Sequence, residues 1–240
     1  RDGAHFHRGF LQRVVVEPTG QGVDHPLWRS IEELRVRPTQ VRPDELGSPR
    51  LEALVTLDGV DALALSVVAD GPVRPRLATM SVVGPALEDS RLTRQQEDVL
   101  KLSKFGALKS LTLVPRPWRH HADRLAWLLE SRLAHQLAVL RLSIDPPWDV
   151  AGLHGLLVQH RLTRLRLELF VPGWAMHFNE HEVSVHFDDA RALERHAQTL
   201  RNLGPKFLPF PFSRVQVKVG QRAATAAQLA RLGDLFSRHA

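Results

Sequence analysis

The chain has 240 residues, 43% hydrophobic and 24% charged, with a formal net charge of +6; this is the composition of a folded protein with room for one large domain or two small ones. There is no cysteine, which excludes disulfides, zinc–thiolate centres and cysteine nucleophiles. No apolar run approaches the roughly 18 residues needed to span a bilayer, nothing at the start reads as a secretory signal, and there is no dense Lys/Arg arm. The expectation is a cytoplasmic chain that makes no membrane contact, and the start at Arg1 implies an upstream segment.

One pattern recurs from end to end: an apolar residue, two variable ones, then apolar, variable, apolar. Leu11-x-x-Val14-x-Val16 is the first copy and Ile31-x-x-Leu34-x-Val36 the second. Val60-x-x-Leu63-x-Leu65 and Leu77-x-x-Met80-x-Val82 follow. The capping box Thr93-x-x-Gln96 then opens a helix that Gly106 closes. After Leu108-x-x-Leu111-x-Leu113, the stripe Leu125, Leu128, Leu129 and Leu133 predicts a helix. Leu137-x-x-Leu140-x-Leu142 precedes a helix capped by Asp149 and carrying Leu153, Leu156 and Leu157. Leu162-x-x-Leu165-x-Leu167 and the shorter Val183-x-Val185-x-Phe187 come next. Asp189 caps a helix that buries Leu193, Ala197 and Leu200 and stops at Gly204-Pro205. Phe212-x-x-Val215-x-Val217 is the last copy, and Thr225-x-x-Gln228 opens a terminal helix with Leu229, Leu232 and Phe236 inward. Alternation of period two marks strands with one buried face, and helices returning between them make those strands parallel. No single unit can bury its own apolar face, so each must stack on its neighbours.

The repeated L-x-x-L-x-L resembles the strand segment of leucine-rich-repeat proteins. The asparagine or cysteine that the family carries three residues later is replaced by Thr19, Thr39, Val68, Pro85, Arg116, Asp145, Phe170 and Gly220. His7-Arg8-Gly9-Phe10-Leu11 followed by Val14-Val15-Val16 is similar to the repeat region of bacterial repeat-companion-domain proteins, which would make the upstream segment the companion domain. The resemblance implies an α/β fold, an irregular leucine-rich-repeat-like solenoid forming a single domain over residues 1–240. It would have a curved parallel sheet, helices on the convex side and a C-terminal capping helix.

On that architecture the exposed sheet face presents Glu33, Arg35 and Arg37, then the small residues Ala62, Ala64, Ser66, Thr79, Ser81, Val83, Ser110, Thr112 and Val114. Beyond them come Val139, Arg141, Ser143, Arg164, Arg166 and Glu168, and finally Glu182, Ser184, His186, Arg214, Gln216 and Lys218. Arg141, Arg164 and Arg166 fall on neighbouring strands roughly 5 Å apart. They form either a solvated face with Arg166 paired to Glu168, or a docking patch for acidic groups, which guanidinium forks bind at two points. Arg35, Arg37, Arg214 and Lys218 extend the patch. The expected function is a protein-binding adaptor or recognition module taking an acidic or extended protein segment. Nucleic-acid or phosphate binding through the same residues is the second reading, and the recognition region of a larger enzyme the third.

Catalysis has little to stand on. His177 and His181 are four apart with His186 beyond, yet Phe178 stands where a zinc-protease motif needs glutamate, and His120-His121 and His5-x-His7 are weaker. No nucleophile elbow, phosphate-cradling glycine loop or dinucleotide fingerprint occurs. The expectation is a non-enzymatic chain with no cofactor or metal. Trp28, Trp118, Trp127, Trp148 and Trp174 either seal apolar layers from loops or helix starts or, where exposed, serve as interface anchors, and the stretch from Pro205 to Phe212 is either an extended packed segment or an exposed recognition loop.

Overall fold

The computed structural model describes residues 4–7, 10–15, 26–36, 46–71, 75–84, 98–100, 104–114, 123–143, 149–207 and 214–232. Its contacts divide the chain into two compact units, one of residues 1–116 with 131–138 and one of residues 117–130 with 139–240. Each is α/β with a mainly sequential sheet. Arg37, Thr93, Gln96, Trp118, His120, His121, Trp148, Phe212 and Phe236 lie outside the described residues.

The first unit holds strands β1 (Ala4–His7), β2 (Phe10–Val15), β3 (Glu33–Arg35), β4 (Thr56–Asp61), β5 (Thr79–Val83) and β6 (Ser110–Val114). β1 and β2 form an antiparallel pair, and from β2 to β6 each strand pairs in parallel with the next. The repeat explains why. Leu34, Leu57, Met80 and Leu111 are direct register partners along four strands, and each is at most 1% exposed. Each such side chain contributes about 2 kcal/mol by leaving water. Helix α1 (Leu65–Asp70) follows β4, residues 98–100 are helical, and α3 (Arg132–Gln136) is capped by Ser131, which accepts from Ala134 N.

The third repeat copy is a misreading. The strand is Thr56–Asp61, whereas Leu63 falls in a short 3-10 turn and Leu65 begins α1. Ala62 and Ala64 are therefore buried beside the helix rather than displayed on the sheet. The strand hides because it carries a bulge: Leu57 pairs with Met80 but Val60 with Val82, so two residues, Asp58 and Gly59, stand against one.

The second unit holds α2 (Asp123–Leu129), β7 (Val139–Ser143), α4 (Val150–Gln159), β8 (Arg166–Val171), β9 (Trp174–Phe178), β10 (Glu182–Phe187), α5 (Ala190–Phe207), β11 (Arg214–Val219), β12 (Arg222–Ala223) and α6 (Ala226–Ala230). The expected stripe from Leu125 to Leu133 is thus two helices, because Ser131 adopts extended backbone and starts a new one. β7–β8 and β10–β11 are parallel; β8–β9, β9–β10 and β11–β12 are antiparallel. β9 departs from the strand–helix–strand expectation. Pro172 and Gly173 (φ +99°) make a two-residue turn between the paired Val171 and Trp174, the backbone a type II turn needs at its third residue. Trp174 is consequently buried within a strand, its ring stacked 5.7 Å from Phe187, not lodged in a loop.

Two ladders of register partners fill this unit's core. Leu140, Leu167, Phe178 and Val183 make one; Leu142, Leu169, Met176, Val185 and Val217 the other. The repeat starting at Leu162 lies two residues out of register with its neighbour: Leu167 and Leu169 are the pair that matches Leu140 and Leu142. Three helix starts follow the sequence. Asp149 Oδ1 accepts from Gly152 N at 3.0 Å, Asp189 Oδ1 from Ala192 N at 2.7 Å, and Thr225 with Gln228 closes a reciprocal capping box. α5 does not stop at Gly204-Pro205 but runs to Phe207. Asp189→Ala should lower stability by about 1 kcal/mol in urea unfolding, while Asp189→Asn, which keeps an acceptor at the cap, should change it little.

Candidate functional site

In the second unit, alternation sends one residue of each pair to the core and the next to an open face. Register then lines the open-face residues into rows. Arg141, Glu168, His177, Ser184 and Gln216 are successive partners across β7, β8, β9, β10 and β11. Ser143, Phe170, Ala175, His186 and Lys218 form the row on one side. On the other side Val139 pairs with Arg166, and Glu182 with Arg214.

Glu168 organises the middle row. It is only 3% exposed although it sits on the open face, because its neighbours cover it. Arg141 Nε donates to Oε2, Arg166 Nη2 donates to Oε1 at 2.8 Å, and His177 Nδ1 lies 3.1 Å from the same oxygen. That His177 nitrogen is sealed from solvent, and it approaches the carboxylate outside good hydrogen-bond geometry. Burial pushes the carboxyl up, but His177, Arg141 and Arg166 together outweigh it and hold Glu168 down at about 2. The carboxylate is therefore charged throughout the neutral range. The Arg141 guanidinium also lies 5.9 Å from the Phe170 ring centre, within cation–π range.

The expected basic patch is thus only partly assembled. Arg141 and Arg166 meet on one shared carboxylate. Arg164 stands in the turn before β8, exposed, rather than in the sheet. Arg35 belongs to the first unit, where its Nε pairs with Asp58 at 2.8 Å across β3 and β4; as an exposed pair this contributes about 0–1 kcal/mol. Arg214 is the backbone partner of Glu182, its side chain lying outside the described residues, and Lys218 is exposed on β11. Among the described residues no carboxylate pairs with Arg164 or Lys218.

An open depression of about 230 Å³ adjoins the Glu168 cluster. Arg166, His177, Asn179, Ser184, Gln216 and Lys218 line it, with Glu182 as the acidic member. The β9–β10 turn is held by Asn179, whose Oδ1 accepts from His181 N and Glu182 N at 2.8 and 2.9 Å. Beneath that turn the buried His154 of α4 donates from Nε2 to Glu180 O at 3.2 Å. His186 Nε2 likewise donates to Gly220 O at 2.8 Å. His177 lies in a strand and His181 in the turn, so the helical i, i+4 pairing considered from the sequence does not form. Among the described residues no three of His, Asp and Glu gather closely enough to hold a metal ion, and no helix is long and apolar enough to cross a membrane.

His177 and Asn179 escaped the sequence reading as sheet-face residues. The signal was present: Trp174-x-Met176-x-Phe178 alternates directly after Pro-Gly, which marks a hairpin. Comparison with known proteins finds no family model that matches the chain and no curated protein that matches it.

Proposed function

We propose that the chain is a non-catalytic recognition module, a divergent leucine-rich-repeat-like solenoid whose open sheet face in the second unit docks an acidic segment of another protein. Strands succeeding one another in chain order, with helices in several of the connections, support the solenoid part of this reading. The observation that carries the docking part is the charge on and beside the face: two arginines share one buried carboxylate, Lys218 stands exposed on β11, and Arg164 is exposed in the turn that leads into β8, with no carboxylate paired to either among the described residues. A strand-built face is held rigid by its ladder, so a partner ordering itself on it meets a preformed surface.

Arg166 is the wrong residue for a charge-reversal test, because glutamate there would face the buried Glu168. Arg164→Glu with Lys218→Glu avoids that cluster. Capture from lysate of the source cells, with and without nuclease, followed by mass spectrometry, should retain an acidic protein on the native chain in both cases. The double variant should lose it at least tenfold with an unchanged melting temperature. Equal retention by both baits, or capture that disappears on nuclease treatment, contradicts the proposal; the latter would instead indicate nucleic acid, whose binding should fall steeply with salt.

A further inference from the structure

We infer that the depression beside Glu168 is a receptor for one carboxylate group, the side chain of an aspartate or glutamate in the docked segment; the inference rests on the recognition reading above. The lining is rich in donors whose other atoms are already committed. Asn179 spends its oxygen on two backbone N–H groups, so its remaining polar atom is the Nδ2 donor. His177 turns Nδ1 to Glu168 and places its ring in the wall of the depression. Arg166 is held by the same carboxylate through one nitrogen and keeps further N–H groups on its fork. Ser184 and Gln216 extend the row, and Lys218 adds an ammonium group at the rim.

Size and charge narrow the ligand. A depression of about 230 Å³ falls short of the roughly 300–1,000 Å³ that hold drug-sized molecules, so it suits the end of a side chain rather than a whole helix. Glu182 opposes a doubly charged phosphate more than a singly charged carboxylate. The planar two-oxygen fork of a carboxylate also matches donors arriving from adjoining strands.

The test is an NMR titration of the full chain with three probes: N-acetylglutamate α-amide, its glutamine counterpart and inorganic phosphate. The glutamate probe should shift the backbone amides of Ser184, Gln216 and Lys218 saturably, with at least tenfold weaker response to the glutamine probe. Lys218→Met should lose that response at least tenfold while melting unchanged, and Ser184→Ala should weaken it severalfold. Absence of localised shifts, an equal response to the glutamine probe, or tighter saturation by phosphate overturns the inference. Carboxylate binding together with capture that ignores this face supports the pocket and overturns the docking reading. Face-dependent capture with a silent pocket overturns this inference alone.

Discussion

Replacing Glu168 by glutamine should lower the stability of the second unit by about 3 kcal/mol at pH 7. The figure follows from the roughly two and a half pH units between the ordinary carboxyl value of 4.5 and the native value of about 2. The sign is fixed by protons: between these values the unfolded chain binds a proton that the native chain does not. The carboxylate's contribution is therefore complete above pH 4.5, declines below it and is gone once the pH has fallen through about 2. Glutamine imitates the protonated form, so the gap between native chain and variant should shrink to less than half at pH 3. Urea unfolding of both chains at the two pH values reads this directly. A gap that stays constant with pH would show that the loss is one of shape and not of charge. Charge reversal at Arg166 should cost at least as much, since it leaves a buried anion facing a second one.

Gly59→Ala should be the most damaging small change in the first unit, costing about 3 kcal/mol or more. Gly59 has φ +84°, a region that side chains rarely tolerate. A Cβ built there lies 2.1 Å from the carbonyl oxygen of Val36. The obstacle is backbone, so no rotamer change relieves it, and β3 and β4 would have to part around the bulge. Their present closeness is fixed by Val36 N donating to Asp58 O at 2.8 Å. Gly106→Ala is the matched control: its Cβ would meet nothing within 4 Å, and stability should move by no more than about 0.5 kcal/mol. Thermal unfolding of both variants checks the pair, and similar midpoints would refute the packing argument.

These two positions also show how far the sequence could be read. Leu77, Leu108 and Leu137 each lead a strand at the expected offset because β5, β6 and β7 have no insertion and one buried face. The bulge at Gly59 breaks that rule. It spaces Leu57 and Val60 three apart, and Val60, Leu63 and Leu65 then imitate the repeat better than the real strand does. The slip at β8 was milder. Leu165, Leu167 and Leu169 all satisfy period two, and a two-residue error leaves every side chain on its proper face, so Arg166 and Glu168 were correctly placed on the open one. Arg164 was not, because the strand begins after it. The covered state of Glu168 could not be read locally: it depends on His177, brought alongside by a hairpin the repeat pattern does not contain.

The central claim is that a protein partner sits on the open face of the second unit. A photo-crosslinking amino acid at Ser143, partly buried on that face, tests it against the same group at Val158, which is 44% exposed on α4. In the source cells, the Ser143 position should form a discrete adduct with an acidic protein, and Arg164→Glu/Lys218→Glu should abolish it. The Val158 position should give none. An adduct formed equally well from Val158, or one at Ser143 indifferent to the charge reversals, would contradict the account.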